Sequence, residues 1–343
     1  MKINSFFAAA VLLLAACSAK QSTITPTDNR NSFSNPVFAH DFPDPNIVKG
    51  KDGYVYAYST EADWTRDGIA GGRRIIPILR SKNLVSWETV GAALASRPSW
   101  KPEGGIWAPD VTEVNGKYFL YYSFSTWGDP NPGIGFAVSD KPEGPFTDKG
   151  KLFFSKEVGV DNSIDPYLVV ENGKLFLFWG SFHGIFGIPL SDDGTKVTGE
   201  KFQVAGTAYE GSCIFKRGSY YYYLGSTGSC CEGEKSTYQV KVGRADALQG
   251  PYVDRNGKPL LENGGTVLLH RNEGSDGFVG TGHNADLVQD DAGVDWLLYH
   301  AFENKQGANK RIMLLDKITW ENDWPVIKNN TPALGPQSAP YFK

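Results

Sequence analysis

One outline recurs five times along the chain: a short apolar strand, a turn built on Gly, Asn or Asp, and a second strand crowded with aromatics. The copies read "FPDPNIVKGKDGYVYAYS" from Phe42, "WAPDVTEVNGKYFLYYS" from Trp107, "IDPYLVVENGKLFLFWGS" from Ile164 and "YEGSCIFKRGSYYYYLGS" from Tyr209. A looser one, "HNADLVQDDAGVDWLLYHA", starts at His283. Strand, tight turn and strand make an antiparallel hairpin. Behind each hairpin come a further apolar strand and a polar bend, as in "IPILRSKNLVSWETVG" and "IMLLDKITWENDWPVI". Four strands per unit and five units predict an all-β fold, a five-bladed β-propeller with four antiparallel strands per blade. The alternative is a β-sandwich with accidental internal similarity. The copies lie about sixty residues apart, against ~40–50 for small propeller repeats, so long loops are expected on one face.

At 343 residues the chain has material for one large or two ordinary domains. Its 39 Gly, 20 Pro and 13% aromatics fit short strands joined by many turns. A formal charge of −4 gives no electrostatic reason to expect nucleic acid or an anionic membrane as partner, and is compatible with a neutral ligand. At the N-terminus, Lys2 precedes "FFAAAVLLLAA", an apolar run of signal-peptide length that is short for spanning a bilayer. It ends in "LAAC", Leu14 to Cys17, which resembles the lipobox of bacterial lipoproteins; an ordinary signal peptide is the alternative. The expected organisation is a signal peptide over 1–16, a lipidated Cys17 with a polar tether over 17–35, and the propeller over 36–343. Membrane contact is then through the lipid anchor alone, at the cell envelope, on either face. Cys213, Cys230 and Cys231 remain, an odd number. A disulfide between adjacent cysteines is strained, so packed thiols are expected, and no zinc-type spacing occurs.

Aligning the copies on their aromatic strands and stepping back ten residues from Tyr54, Tyr118, Leu175 and Tyr220 gives Asp44, Ala108, Asp165 and Glu210. The fifth copy reaches Asn284–Asp286. The first strand of each propeller blade lines the central channel, so three carboxylates remote in sequence are expected to share one pocket. An Asp before Pro can merely start a turn. Glu210, followed by Gly and Ser, has no such role. Crowded acids drive their pKa values apart. Two carboxyls flanking a glycosidic bond suffice for its hydrolysis, one protonated to serve the leaving oxygen, one ionised to activate water or attack. Phosphoryl transfer fits less well, because three acids repel phosphate unless metals intervene. No G-x-S-x-G elbow is present. The residues therefore point to a glycosidase acting on a neutral sugar chain.

From Asn35 onward the chain resembles glycoside hydrolase family 43, and within it the endo-α-1,5-L-arabinanase group. The marks are "FPDPNIV", "WAPDV", "SIDPYLV", "GSFHGIFGIPL", "FKRGSYYYYL", "GHNADLVQDDAGVDWLLYHAF" and, most specific, the double cysteine leading into "STYQVKVGRADALQGPYVDRNG". The resemblance implies an inverting hydrolase of arabinan, a plant cell-wall polysaccharide, with arabinoxylan as the related substrate. It implies Asp44 as general base, Glu210 as general acid, and Asp165 as the group that tunes the acid and holds substrate. Trp107, Asn162, Ser181 and Arg311 would contact the sugar. His283 would ligate an axial calcium or a water cluster, and no organic cofactor is implied. Inversion calls for the two carboxyls about 6.5–9.5 Å apart, retention for about 5–5.5 Å. Two departures stand out: Ser212 occupies the place of the family's proline, and the first copy carries the insert "EADWTRDGIAGGRRIIP". That insert is expected to put Trp64, Arg66, Arg73 and Arg74 on a rim loop, which opens the question of exo action. The alternatives are an exo-acting α-L-arabinofuranosidase or β-xylosidase and, in another class, a non-catalytic sugar-binding propeller lipoprotein.

Overall fold

The computed structural model describes Met1 and residues 32–343. The expected signal peptide and lipobox cysteine lie outside the described residues, Met1 apart. Five antiparallel sheets follow one another in chain order. Blade one holds Asn46–Lys49, Val55–Tyr58, Arg73–Ser81 and Glu88–Leu94, and blade two Gly105–Val114, Lys117–Ser125, Gly133–Ser139 and Thr147–Phe154. Blade three holds Tyr167–Glu171, Lys174–Trp179, Ile185–Pro189 and Phe202–Ala205, and blade four Glu210–Arg217, Tyr220–Thr227, Gln239–Ala245 and Thr266–Leu269. In blade five the innermost strand is broken into Phe278–Gly282 and Leu287–Gln289, followed by Asp295–Glu303, Ile312–Glu321 and Trp324–Val326. The five-bladed propeller read from the repeats is the fold of the chain.

The aromatic strands lack polar alternation because both of their faces are covered. In Lys117–Ser125 every residue after Lys117 is buried. Side chains alternate across a strand. Tyr118, Leu120 and Tyr122 therefore meet Tyr56, Tyr58 and Ile78 of blade one. Phe119 and Tyr121 meet Leu168, Leu177 and Trp179 of blade three. The core is thus a set of seams between neighbouring blades, where each fully buried large apolar side chain contributes about 1.5–3 kcal/mol.

The ring closes between blade five and the residues ahead of blade one. The Leu315 N–H donates to Asn35 Oδ1 at 2.9 Å and Asn35 Nδ2 donates to the Leu315 carbonyl at 3.1 Å. Phe42, Ile47 and Leu79 pack with Trp296, Leu298 and Met313. Ser32 and Phe33 pair with Ser338 and Gln337. The tether expected to run to residue 35 therefore gives way to folded chain at Ser32.

The first-blade insert corrects a second expectation. Ala62 and Asp63 pair with Arg74 and Arg73, and Trp64 is fully buried with its indole N–H on the Asp41 carbonyl at 2.7 Å. Arg74 lies over the Trp64 ring, and Arg73 pairs with Glu61. Burial of the indole folds the insert into the seam between blades five and one. Arg66 stays exposed, and no residue of the insert lines the cavity described next.

Candidate active site

Near the axis each blade's inner strand passes through a left-handed residue: Asp44 (φ 54°), Ala108 (φ 43°), Asp165 (φ 57°), Gly211 (φ 60°) and His283 (φ 42°). The next residue is proline in the first three blades and Ser212 in the fourth. Glu210 thus stands one residue ahead of the position held by Asp44 and Asp165, which corrects the alignment by ten-residue steps. Glycine is favoured at 211, because a side chain there would combine the left-handed φ with a Cβ only 3.1 Å from the His283 ring.

Each kinked residue is pinned by the preceding blade. Ala108 N–H donates to Thr60 Oγ1 (2.8 Å), Asp165 N–H to Ser123 Oγ (2.9 Å) and His283 N–H to Ser226 Oγ (2.8 Å). Asp44 N–H closes the circle on His300 Nδ1 at 3.1 Å. In the fourth blade Gly211 N–H goes instead to Asp165 Oδ2 at 3.3 Å. Ser181, at the end of the aromatic strand before it, is thereby free to donate to Glu210 Oε2 at 2.7 Å.

These kinks deliver the acids into one cavity of about 630 Å³. Asp44, Asp165 and Glu210 line it, each less than a tenth exposed, together with Trp107, Asn162, Ser181, His283 and Arg311. All eight residues singled out from the sequence share this one space. Asn162 is turned so that its Nδ2 donates to the Ser181 carbonyl at 3.2 Å. Trp107 is half-buried and tilts against Trp127, centroid to centroid 5.9 Å.

The electrostatics divide the carboxyls. Burial works to raise Asp44, but the Arg311 guanidinium, 3.2 and 3.3 Å from its two oxygens, and the His283 imidazole at 3.3 Å pull it well below the ordinary carboxyl range. Thr60 adds a hydroxyl donor at 2.6 Å. Glu210 has no such cation in contact; burial raises it, with a smaller rise from the Asp44 charge, against the Ser181 hydrogen bond and the more distant His283 charge. Burial also lifts Asp165, to about 8, with the negative charges of Glu210 and Asp44 behind it and His283 opposing. Burial opposes charge on His283, yet the surrounding carboxylates raise it to about 9, so it is a cation at neutral pH. His300, buried beside that cation and Arg311, is held neutral and accepts from the Asp44 amide. One acid is pulled below the ordinary carboxyl range and a second pushed above it in a common cavity, the divergence that general acid–base chemistry uses.

Two residues further along the inner strands a second ring crosses the axis. Asn46 Nδ2 donates to Asp110 Oδ1 (3.0 Å) and Asp286 Oδ2 (3.2 Å), Tyr167 donates to Asp286, and the Cys213 thiol lies 3.7 Å from the Tyr167 hydroxyl. Burial and the Asp286 charge raise Asp110 well above its usual range, and burial lifts Asp286 to about 6. A separate cavity of about 560 Å³, lined by Tyr167 and Asp286 among others, opens on the far side and contains none of the three upper acids.

Several cavity residues escaped the sequence reading. Thr60 is a hydroxyl at the end of an aromatic strand, the place that Ser181 holds in its own blade, a recurrence visible in "YAYST", "YYS", "FWGS" and "YLGS". His300 replaces the hydroxyl in "LLYHA", and only the closure of the ring shows what it holds. Trp127, 80% exposed, and Phe182, 39% exposed, sit on loops at the mouth. The expectation of packed thiols at the double cysteine is wrong: Cys230 and Cys231 form a disulfide in a loop on the cavity wall. That loop offers no apolar interior in which to pack thiols, since Cys231 is exposed and Cys230 half-buried; the buried free thiol is Cys213. Around His283, no group of three or more His, Cys, Asp or Glu side chains arranged as metal ligands occurs among the described residues. One imidazole is a sparse donor set for calcium, which takes six to eight oxygens.

The family model for glycosyl hydrolases family 43 matches residues 33–325. The chain is 34% identical over 297 residues to the extracellular endo-α-(1→5)-L-arabinanase 1 of Bacillus subtilis, covering 82% of this chain and 86% of that one. It is 30% identical over 283 residues to the extracellular exo-α-(1→5)-L-arabinofuranosidase of Cellvibrio japonicus, covering 74% and 80%. Among solved structures, the α-L-arabinanase of Cellvibrio cellulosa complexed with arabinohexaose superposes with a TM-score of 0.73 at 29% identity, covering 84% of this chain and 95% of that one.

Proposed function

This chain belongs to glycosyl hydrolases family 43, and on that premise we propose that it cleaves the α-1,5 linkages of L-arabinan with inversion, using Asp44 as general base and Glu210 as general acid. The observation that carries the reading is the opposed treatment of two carboxyls in one cavity: Arg311 and His283 contact Asp44 and pull it well below the ordinary range, while burial pushes Glu210 above it. The sugar ring spans the cavity with its glycosidic oxygen toward Glu210. Glu210 gives its proton to the departing oxygen as the bond to the anomeric carbon breaks. A water on the opposite face attacks that carbon and passes its proton to Asp44. The electron pair of the broken bond leaves on the protonated oxygen, and the hydroxyl of the new product comes from water. Asp165, bonded to the Gly211 amide beside Glu210, holds the backbone under the acid; with its own carboxyl raised to about 8 by burial, it adds negative charge near Glu210 only as pH approaches that value. Trp107 and Asn162 form walls for the sugar.

The relatives named as arabinanases and as an exo-arabinofuranosidase support the sugar and leave the cutting mode to experiment. A time course on linear arabinan, branched arabinan, arabinoxylan and nitrophenyl pentosides decides both. A spread of oligomers at early times marks endo action, a single short product exo action, and turnover of xylosides in preference to arabinan rejects the reading. Proton NMR of the first product is expected to show the anomer opposite to the substrate's. Glu210→Gln is expected to lower kcat on arabinan roughly 10²–10⁴-fold. The loss should shrink on a nitrophenyl arabinoside, whose leaving group needs no proton.

Anchoring at the envelope through Cys17 belongs to the same proposal, supported by the "LAAC" motif and by relatives named as extracellular. Loss of labelled fatty acid in a Cys17→Ala variant is the expected result. For calcium, His283 would be the single protein donor and water the remainder, and the imidazolium would first have to give up its proton, since the charged ring has no lone pair to offer. Stoichiometric calcium in protein purified without chelator is the check, and no step above is routed through it.

A further inference from the structure

We propose that the Cys230–Cys231 disulfide is a substrate-binding surface: an uncharged sulfur wall on which a sugar ring packs, next to the arginine that holds the base. The inference rests on the hydrolase reading given above. Both cysteines line the same cavity as Asp44, Asp165 and Glu210. Cys231 Sγ lies 4.0 Å from Arg311 Nη1, the nitrogen that also reaches both oxygens of Asp44. A ring seated against Asp44 and Arg311 is therefore within reach of the sulfurs. Sugars present C–H faces as well as hydroxyls, and sulfur is a polarisable, weakly hydrated partner for the former. The indoles of Trp107 and Trp127 line the same cavity, so the disulfide adds sulfur to a lining that already offers aromatic faces to a sugar.

The loop that carries the pair is built to hold it still. Ser229 N–H donates to Thr237 Oγ1 at 3.0 Å, Thr237 N–H returns to the Ser229 carbonyl at 3.1 Å, and Glu232 N–H donates to Ser236 Oγ at 2.9 Å. Gly233, with φ 59°, presses against the neighbouring blade so closely that a Cβ there would lie 2.5 Å from the Ala308 carbonyl. That neighbouring segment leads into Arg311. Joined sulfurs on such a loop present one fixed surface. Separate thiols would rotate independently, and one of them, beside a guanidinium, would gain anionic character.

The test compares the oxidised protein with the same protein reduced by a dithiol, which gives two electrons and two protons to the S–S bond and becomes a cyclic disulfide itself. Alkylation with mass analysis follows the state of residues 230 and 231. Binding of arabinohexaose is measured calorimetrically on the Glu210→Gln background, and KM and kcat on the active protein. Reduction, and independently the Cys230→Ser/Cys231→Ser pair, is expected to raise Kd and KM at least roughly tenfold, the scale of losing one apolar contact in a pocket. The turnover number should stay within about twofold and the melting temperature nearly constant. An unchanged Kd in both arms overturns the proposal. So does a fall in kcat and melting temperature at constant Kd, which marks a purely structural turn, and so does a purified protein whose two thiols are already free. A protein that cleaves arabinan but ignores reduction removes this inference alone; one that neither binds nor cleaves the oligosaccharide removes the function as well.

Discussion

Two carboxyls with the same chemistry behave differently because of what touches them. Asp44 has Arg311 and His283 in contact; Glu210 has the Ser181 hydroxyl and is buried without a cation in contact. Replacing Arg311 by Met removes the largest influence lowering Asp44 and leaves burial less opposed, so the base becomes harder to ionise. The acid limb of kcat/KM against pH is expected to move upward, with the alkaline limb, set by the proton on Glu210, nearly in place. A unit of movement corresponds to about 1.4 kcal/mol of lost preference for the charged form. Asp165 gives a stability prediction. Its folded pKa, about 8, lies above the ordinary value near 4, so the folded state favours its proton. Its stabilising contribution is complete below the unfolded pKa and is lost as pH rises towards 8. Asp165→Asn, which can still accept from the Gly211 amide, should therefore melt increasingly above the natural protein between pH 5 and pH 8, while its activity falls.

At the level of strands and turns, the kinks decide which side chains reach the cavity. Gly211→Ala would place a β-carbon in a left-handed conformation and 3.1 Å from the His283 ring. A loss of about 1–2 kcal/mol in urea unfolding is expected, with a larger proportional loss of kcat as Glu210 is re-aimed. Asp44 and Asp165 were legible in the sequence because each sits before a proline in a repeated hairpin, so periodicity alone predicted their meeting. Glu210 was found through the same periodicity; stepping by ten residues passed over a one-residue offset, which Ser212 in the proline's place already signals. The double cysteine misled for a related reason. Its letters report strain between adjacent sulfurs, whereas its environment is set by a loop docked on the next blade. Trp64 shows the reverse case: an insert departing from the family pattern suggested a rim loop, and one buried indole with the Asp41 carbonyl as partner drew the segment into the core.

For the molecule as a whole, stability depends on closing a circle of blades whose contacts are otherwise made between sequence neighbours. The closing seam combines Phe42 and Ile47 with Trp296 and Met313, and Asn35 bridges to Leu315 through both of its amide atoms. Asn35→Ala leaves a Leu315 amide without its partner, and a loss of about 1–3 kcal/mol in chemical denaturation is expected. The specific activity of the folded fraction should be unchanged, because Asn35 itself does not line the cavity that holds the acids. The fold was legible at this scale because five copies of one hairpin leave few arrangements that bury both faces of each sheet. How the ring is shut was not legible, since the fastening residues precede the first copy and bear no repeat of their own. The lower belt of Asn46, Asp110, Tyr167, Cys213 and Asp286 settles the shape of the interior. It makes the centre a bowl with a floor, not a tube, so no polymer can be threaded from one side to the other. Whatever is cut must back out past the same lip over which it arrived, and the departure of fragments competes with the arrival of the next chain.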